Sequence, residues 1–382
     1  MKIAFVTNFI NHHQVYLADE LYGILGGDYC FIETQKMPTT FIKSGYPDFS
    51  LRPYIIKAWV DNDSWKSAIS IAESVDILIV GNAPQIFRTQ RLRNNSITIE
   101  YEERSLKKGW INVFSPRFIR KIVSYLIYDT HNTYKLCAGA YVANDMYKFG
   151  LFKNRCFKFG YFPQTPNKNN NKNNYALGKN DSIKILWCGR FISWKHPELP
   201  VYLAEKLKLS QHKFEINMIG SGELYNDIKS LIEKKNLSNE ITLLGNLPNK
   251  NVLDTMAEHD IFIFTSDRNE GWGAVLNEAM GCGCCPVVSN EIGAVPYLIN
   301  DKENGLVFKS KDVDSLYQCI SFLIHHPQKI KEFADNSYQT ISNIWCPKIA
   351  ANNLLTLCNS LYKGNKNTIL EGPCSNAFPY YI

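Results

Sequence analysis

The stretch Asn269-Glu270-Gly271-Trp272-Gly273-Ala274-Val275-Leu276-Asn277-Glu278-Ala279-Met280-Gly281-Cys282-Gly283 decides the reading of this chain. The apolar run Ile261–Thr265 stands before it and reads as a buried strand. Gly271 and Gly273 open a tight turn, and a helix is expected to follow. N–H groups at a helix N-terminus attract anions. Glu270 and Glu278 are separated by seven residues, which puts one carboxylate at the mouth of the turn and the other about two turns on. Carboxylates accept hydrogen bonds from sugar and ribose hydroxyls. Paired acids on a strand–turn–helix therefore suit a nucleotide sugar. The alternative is that both are solvated helix charges.

Outward from this stretch, strand and helix patterns alternate. In the first part the strands are Ile3–Thr7, Tyr29–Glu33, Ile77–Val80 and Ile97–Tyr101, and the helices Val15–Leu25, Ser64–Glu73, Pro84–Leu92 and Pro116–Tyr128. Residues 164–181 are polar and Asn/Lys-rich, cannot bury a core, and read as a linker. Alternation then restarts with strands Lys184–Cys188, Glu215–Ile219, Ile241–Leu244, Ile261–Thr265 and Pro286–Ser289. The pattern predicts parallel sheets with helices on both faces. The expected domains are 1–163 and 182–344, with 345–382 crossing back to the first through a helix at Ala351–Leu361.

The quoted stretch resembles the E-x7-E signature of retaining glycosyltransferases of family 4, carried here by Glu270, Gly271, Gly273, Glu278, Ala279, Gly283, Pro286, Val287 and Val288. The likeness extends to Trp187-Cys188-Gly189-Arg190 with Lys195, to Met218-Ile219-Gly220-Ser221-Gly222, to Leu244-Gly245-Asn246-Leu247-Pro248, and to Glu303-Asn304-Gly305-Leu306-Val307. It covers residues 183–308 well. Three positions depart from the family pattern: His196-Pro197 follows the lysine where glycine is usual, Trp272 is bulkier than the common Phe, and Asn277 replaces Leu or Val.

The resemblance implies a GT-B fold, two doubly wound Rossmann-like domains facing an interdomain cleft. It implies that Arg190 and Lys195 neutralise a donor diphosphate, that Glu270 holds the sugar hydroxyls and that Glu278 holds the ribose. Gly189, Gly220, Ser221, Gly222, Asn246, Leu247, Gly271, Trp272 and Gly273 complete the donor site on that reading. It further implies transfer of a hexose or N-acetylhexosamine with retention, no cofactor beyond the nucleotide diphosphate sugar as substrate, and a role in surface polysaccharide or lipopolysaccharide synthesis. An epimerase or phosphorylase on the same fold, and a non-catalytic nucleotide-sugar binding protein, are the other readings. Gly220-x-Gly222 lacks the third glycine of a dinucleotide fingerprint. The strings Asp61-Asn62-Asp63 and Asp312-Val313-Asp314 precede predicted helices and read as N-caps rather than metal ligands.

Length and charge agree with this plan. The 382 residues suit two domains, with 45% hydrophobic and 20% charged residues. The net charge of +6 lies wholly in residues 1–163, and residues 104–158 hold 11 basic and 2 acidic side chains. Such an excess points to an anionic partner. The acceptor-side candidates are His13, Glu103, Arg104 and His131, with Glu103 and Arg104 alternatively an internal ion pair. The helix from Pro116 carries Arg117, Arg120 and Lys121 beside apolar residues, a face that could rest on anionic lipid. A saccharide or lipid-linked acceptor fits, whereas no nucleic-acid motif accompanies the charge. The 11 cysteines form no framework, and Cys282, Cys284 and Cys285 read as small buried thiols. No apolar run spans a bilayer. A cytoplasmic enzyme, peripheral on the inner face of the cell membrane, is expected.

Overall fold

The computed structural model describes residues 1–39, 47–107, 109–127, 132–164 and 182–380, with backbone alone at 111, 112 and 117. Of the expected linker 164–181 all but Gln164, and also His131, lie outside the described residues. The chain divides into two compact units, Met1–Gln164 with Ile344–Tyr381, and Thr165–Asn343.

Unit 1 runs β1 (Ile3–Thr7), α1 (Val15–Leu25), β2 (Tyr29–Glu33), β3 (Ile55–Lys57), α2 (Asn62–Ser74), β4 (Ile77–Val80), α3 (Ile86–Arg93) and β5 (Thr98–Glu103). A 3-10 turn at Gly109–Phe114 leads into α4 (Pro116–Ile127), β6 (Thr133–Ala138), α5 (Tyr141–Tyr147) and β7 (Cys156–Phe159). The seven strands are all parallel, in the order β3-β2-β1-β4-β5-β6-β7. Every residue of β1 and β4 is buried, as a central parallel strand covered on both faces requires. The order reverses between β1 and β4. That gap is the topological switch point, where ligands bind in open α/β sheets.

Unit 2 runs β8 (Ile183–Cys188), a 3-10 turn at Ser193–Lys195, α6 (Glu198–Leu209), β9 (Phe214–Ile219), α7 (Tyr225–Lys234), β10 (Ile241–Gly245), α8 (Asn249–Glu258) and β11 (Ile261–Phe264). It continues with α9 (Ala274–Gly281), β12 (Cys285–Ser289), α10 (Val295–Leu298), β13 (Leu306–Phe308), α11 (Val313–His325) and α12 (Pro327–Asn343). Its parallel sheet has the order β10-β9-β8-β11-β12-β13, so its switch point lies between β8 and β11. The chain returns to unit 1 through α13 (Pro347–Tyr362), which packs on α1.

Local chemistry explains several ends. Asp61 accepts from Ser64 N at 2.7 Å and caps α2, and Asp312 accepts from Ser315 N at 3.0 Å and caps α11. Both Asp-x-Asp strings therefore serve helix starts. Arg91 of α3 is buried and donates to five backbone carbonyls, at residues 72, 73, 75, 76 and 97, over 2.6–3.2 Å. These include carbonyls at the C-terminus of α2 that have no helical partner. Burial lowers the Arg91 pKa to about 10. The helix expected from Pro84 begins at Ile86, and the one expected from Ala351 begins at Pro347.

The last residues seal the sheet edge. Lys158 N donates to Ser375 O at 2.7 Å, Cys374 N to Lys158 O at 2.6 Å and Ala377 N to Cys156 O at 2.8 Å. The tail thereby pairs with β7, whose open edge would otherwise be a template for another chain. Cys282, Cys284 and Cys285 are buried, and the 11 cysteines are thiols rather than disulfides. Among the described residues no helix is long and apolar enough to cross a membrane.

Candidate active site

Residues far apart in sequence meet at the unit 2 switch point. Lys195, after β8, places Nζ on Glu270 Oε2, and Ser266 Oγ donates to the same oxygen at 3.1 Å. Lys195 Nζ also lies 4.6 Å from the Trp194 ring centre and 5.3 Å from that of Phe264. The backbone beneath it is held from the core: buried Trp187 Nε1 donates to Thr265 Oγ1 at 2.8 Å, and Thr265 Oγ1 donates to Lys195 O at 2.6 Å. Arg190 is exposed, its guanidinium 5.6 Å from the Trp194 ring centre.

The turn before α9 is built for close approach. Gly273 is the N-cap at φ 97°, and a Cβ there would sit 2.6 Å from the Phe264 ring. Gly220, at φ 131°, lies so near Gly189 that a Cβ would meet Gly189 O at 1.9 Å. Gly271 is buried, while Ser221, Gly222 and Asn246 are exposed and Leu247 half-buried in the loops after β9 and β10. Glu278, on α9, is raised to about 7 by burial, with Asn249 Nδ2 donating to Oε1 at 3.4 Å. Asn249 carries no motif, and only the packing of α8 beside α9 brings it there.

The three departures from the family pattern each have a structural account. Trp272, expected among the donor-binding residues, is wholly buried, and its Nε1 donates to Asn277 Oδ1 at 2.9 Å. Its indole therefore supports the turn from beneath, and Asn277 is the matching acceptor; two departures are one hydrogen bond. His196 takes the left-handed conformation, φ 50° and ψ 56°, that glycine adopts without strain. Its ring lies 2.8 Å from Glu198 Oε1 and 3.3 Å from Asp267 Oδ2.

Unit 1 has a cleft of about 1000 Å3 at the carboxyl ends of its strands, around the β1/β4 switch point. His13, Glu103 and Arg104 line it together with Tyr161, which sequence reading missed. The His13 ring stacks on Tyr161 at 5.2 Å with a 10° interplanar angle, and Tyr161 OH donates to Glu103 Oε1 at 2.8 Å. Burial and the neighbouring His12 hold the His13 pKa well below the usual imidazole value. Glu103 and Arg104 do not pair with each other. Glu103 binds Lys107, and buried Arg104 lies 3.3 Å from Asp145 Oδ1.

The basic excess of residues 104–158 is thus partly spent internally. Glu102 takes both Lys121 and Lys135. The expectation of a basic outer face on α4 is corrected in one respect: Lys121 turns inward. Arg120 stays exposed and lines the cleft, and the side chain of Arg117 lies outside the described residues. The outward face of α4 is apolar: Ile119, Val123, Leu126 and Ile127 are exposed. Among the described residues no group of three His, Cys, Asp or Glu forms a metal-binding cluster.

Residues 168–340 match the family model described as Glycosyl transferases group 1. An uncharacterized glycosyltransferase of Methanocaldococcus jannaschii is 27% identical over 210 residues, 55% of this chain and 55% of its own length. The N-acetylgalactosamine-N,N'-diacetylbacillosaminyl-diphospho-undecaprenol 4-alpha-N-acetylgalactosaminyltransferase of Campylobacter jejuni is 26% identical over 153 residues, 40% of each chain. This chain thus spans about half or less of the length of these curated relatives. Among solved structures, Anabaena HepE in complex with UDP has the same fold, with a TM-score of 0.68 at 14% identity over 94% of this chain and 100% of that one. Residues 168–340 are therefore similar to glycosyl transferases group 1, within an architecture of two parallel-sheet Rossmann-like units whose fold is that of GT-B glycosyltransferase structures such as HepE.

Proposed function

We propose that this chain is a glycosyltransferase that moves a hexose or N-acetylhexosamine from a nucleotide diphosphate sugar to a saccharide or lipid-linked acceptor. The observation that carries the reading is the Lys195–Glu270 pair at the unit 2 switch point. Cleavage of the bond from the anomeric carbon to the diphosphate builds negative charge on the leaving phosphate. Fixed cations and backbone N–H groups aimed at that charge are the natural stabilisers. Lys195, Arg190 and the turn at Gly271–Gly273 fill that role. A diphosphate arriving at Lys195 exchanges for the Glu270 carboxylate, which then accepts from the sugar hydroxyls. Glu278 accepts from the ribose. The transfer proceeds with retention and without a metal or other cofactor.

The unit 1 cleft receives the acceptor, with His13, Tyr161 and Glu103 contacting its hydroxyls. The UDP bound to Anabaena HepE and the undecaprenol-linked acceptor in the name of the Campylobacter relative support this assignment of substrate classes. On this reading the chain works in surface polysaccharide or lipopolysaccharide synthesis, at the inner face of the cell membrane. The test is a panel of nucleotide sugars with and without acceptor, read as release of nucleoside diphosphate. Acceptor-dependent release is expected from wild type. Equal release by Glu270→Gln would sink the site assignment.

A further inference from the structure

The segment from Trp110 to Ile127 carries six exposed large apolar side chains: Trp110, Phe114, Ile119, Val123, Leu126 and Ile127, each 43% to 80% exposed. No other helix or strand among the described residues carries more than one. At about 100° per residue, the four on α4 fall within about 100° of one another, clear of the arc that holds Phe118, Ile122 and Tyr125. Ile122 and Tyr125 are buried against the unit 1 core, and Phe118 packs beside them. Lys121, at the border of that inner arc, binds Glu102. The helix is therefore anchored on one side and apolar to water on the other. An apolar patch of this size on one element marks an interaction site.

We infer that this face lies flat on an anionic lipid surface, inserting the apolar side chains of α4 and of the 3-10 turn before it. Charge selects lipid over an ordinary protein partner. Residues 104–127 hold no Asp or Glu, and of their six Lys or Arg three are taken up by Asp145, Glu103 and Glu102, which leaves Arg120 as the exposed cation among the described side chains of that stretch. Arg120 is exposed at the border of the apolar arc, and exposed Lys148 places Nζ 5.8 Å from the Trp110 ring centre. Cations rimming an apolar helix face, with Trp and Phe at its end, are the design of an interfacial helix. The same helix also lines the unit 1 cleft through Pro116, Phe118, Arg120 and Lys121. A lipid-anchored acceptor would reach that cleft without leaving the surface. The inference deepens the proposed function by naming the surface that receives such an acceptor, but the docking itself is measured without catalysis.

The experiment is flotation of the full chain with vesicles of phosphatidylethanolamine and phosphatidylglycerol, against vesicles of phosphatidylcholine alone. Wild type is expected to float with the anionic vesicles and far less with the neutral ones. Leu126→Asp with Ile127→Asp should lower partitioning by at least about tenfold, as expected when inserted side chains leave hydrocarbon. Phe114→Ser, outside the helix, should lower it with no effect on α4. Leu209→Asp, on an exposed apolar residue of α6, should leave it unchanged. Thermal unfolding checks that each variant is folded. Absent flotation, equal flotation by the α4 variants, or equal binding to neutral vesicles would overturn the inference. So would a dimer that Leu126→Asp dissociates, which would assign the face to a second copy. Nucleoside diphosphate release from a soluble donor separates the two proposals: release without flotation refutes only docking, and flotation without release refutes only the transferase.

Discussion

His196 is held between two carboxylates from different elements, with Nδ1 2.8 Å from Glu198 Oε1 at the start of α6 and Nε2 3.3 Å from Asp267 Oδ2 after β11. It occupies a left-handed backbone position directly after Lys195. The ring therefore ties the lysine-bearing turn to the loop that leads to Glu270, and Lys311 joins the cluster at 3.2 Å from Asp267 Oδ2.

The sign of its pH dependence follows. Burial opposes the charged imidazolium, but the hydrogen bonds and charges of Glu198 and Asp267 outweigh it and raise the pKa above the usual value. The stabilisation is full below the unfolded pKa near ~6.5 and is lost as pH rises through the folded one. We predict a Tm that falls over that window in wild type. In His196→Gly, which suits the left-handed backbone but carries no charge, that part of the slope should vanish. NMR titration of the imidazole checks the direction, and a pKa at or below the free value would contradict it.

Lys195 and Glu270 should separate in their effects. Lys195→Ala removes a cation from the leaving phosphate, and kcat/KM should fall by about 10²–10³. Glu270→Gln removes the carboxylate that competes with phosphate for Lys195. It should bind free nucleoside diphosphate at least as tightly as wild type while transferring more slowly. Calorimetric titration of both variants decides the matter, and weaker nucleotide binding by Glu270→Gln would refute the exchange.

Glu278 predicts a second pH window. Burial raises its pKa to about 7. The native state then holds a proton that the unfolded chain has lost, so this group costs stability as pH rises from ~4.3 toward 7. Only the ionised form is the full acceptor for a ribose, so nucleotide affinity should rise over the same interval. Glu278→Gln should flatten both dependences, measured by thermal unfolding and by binding at pH 5 to 8.

Trp272 and Asn277 should behave as one unit. Trp272→Phe and Asn277→Leu each break the hydrogen bond in a fully buried setting, at a cost of about 1–3 kcal/mol. The double substitution should cost less than the sum. Denaturant unfolding of the four proteins gives the coupling, and strict additivity would show that the two residues are independent.

Much of the plan was legible because parallel strands buried on both faces leave unbroken apolar runs, such as Ile77–Val80 and Ile261–Phe264. Caps were legible because Asp61 and Asp312 act on N–H groups three residues away. Strand β6 was not, because Lys135 interrupts its apolar pattern. That lysine is fully buried and neutralised by Glu102, thirty-three residues earlier. β3, β7 and β13 are three or four residues long, too short for a period to declare itself.

Local spacing, which acts over a few residues, was enough to determine the α/β alternation, the glycine turns and the two carboxylates of the Glu270–Glu278 stretch. The order of the strands, and hence the meeting of Lys195 with Glu270 at a switch point, was decided only by tertiary structure. So was the choice of which side of α4 turns outward, because the helix carries basic and apolar side chains alike. Charge on a sequence is a sum, whereas charge on a surface is what remains after distant partners such as Glu102 and Asp145 have taken their share.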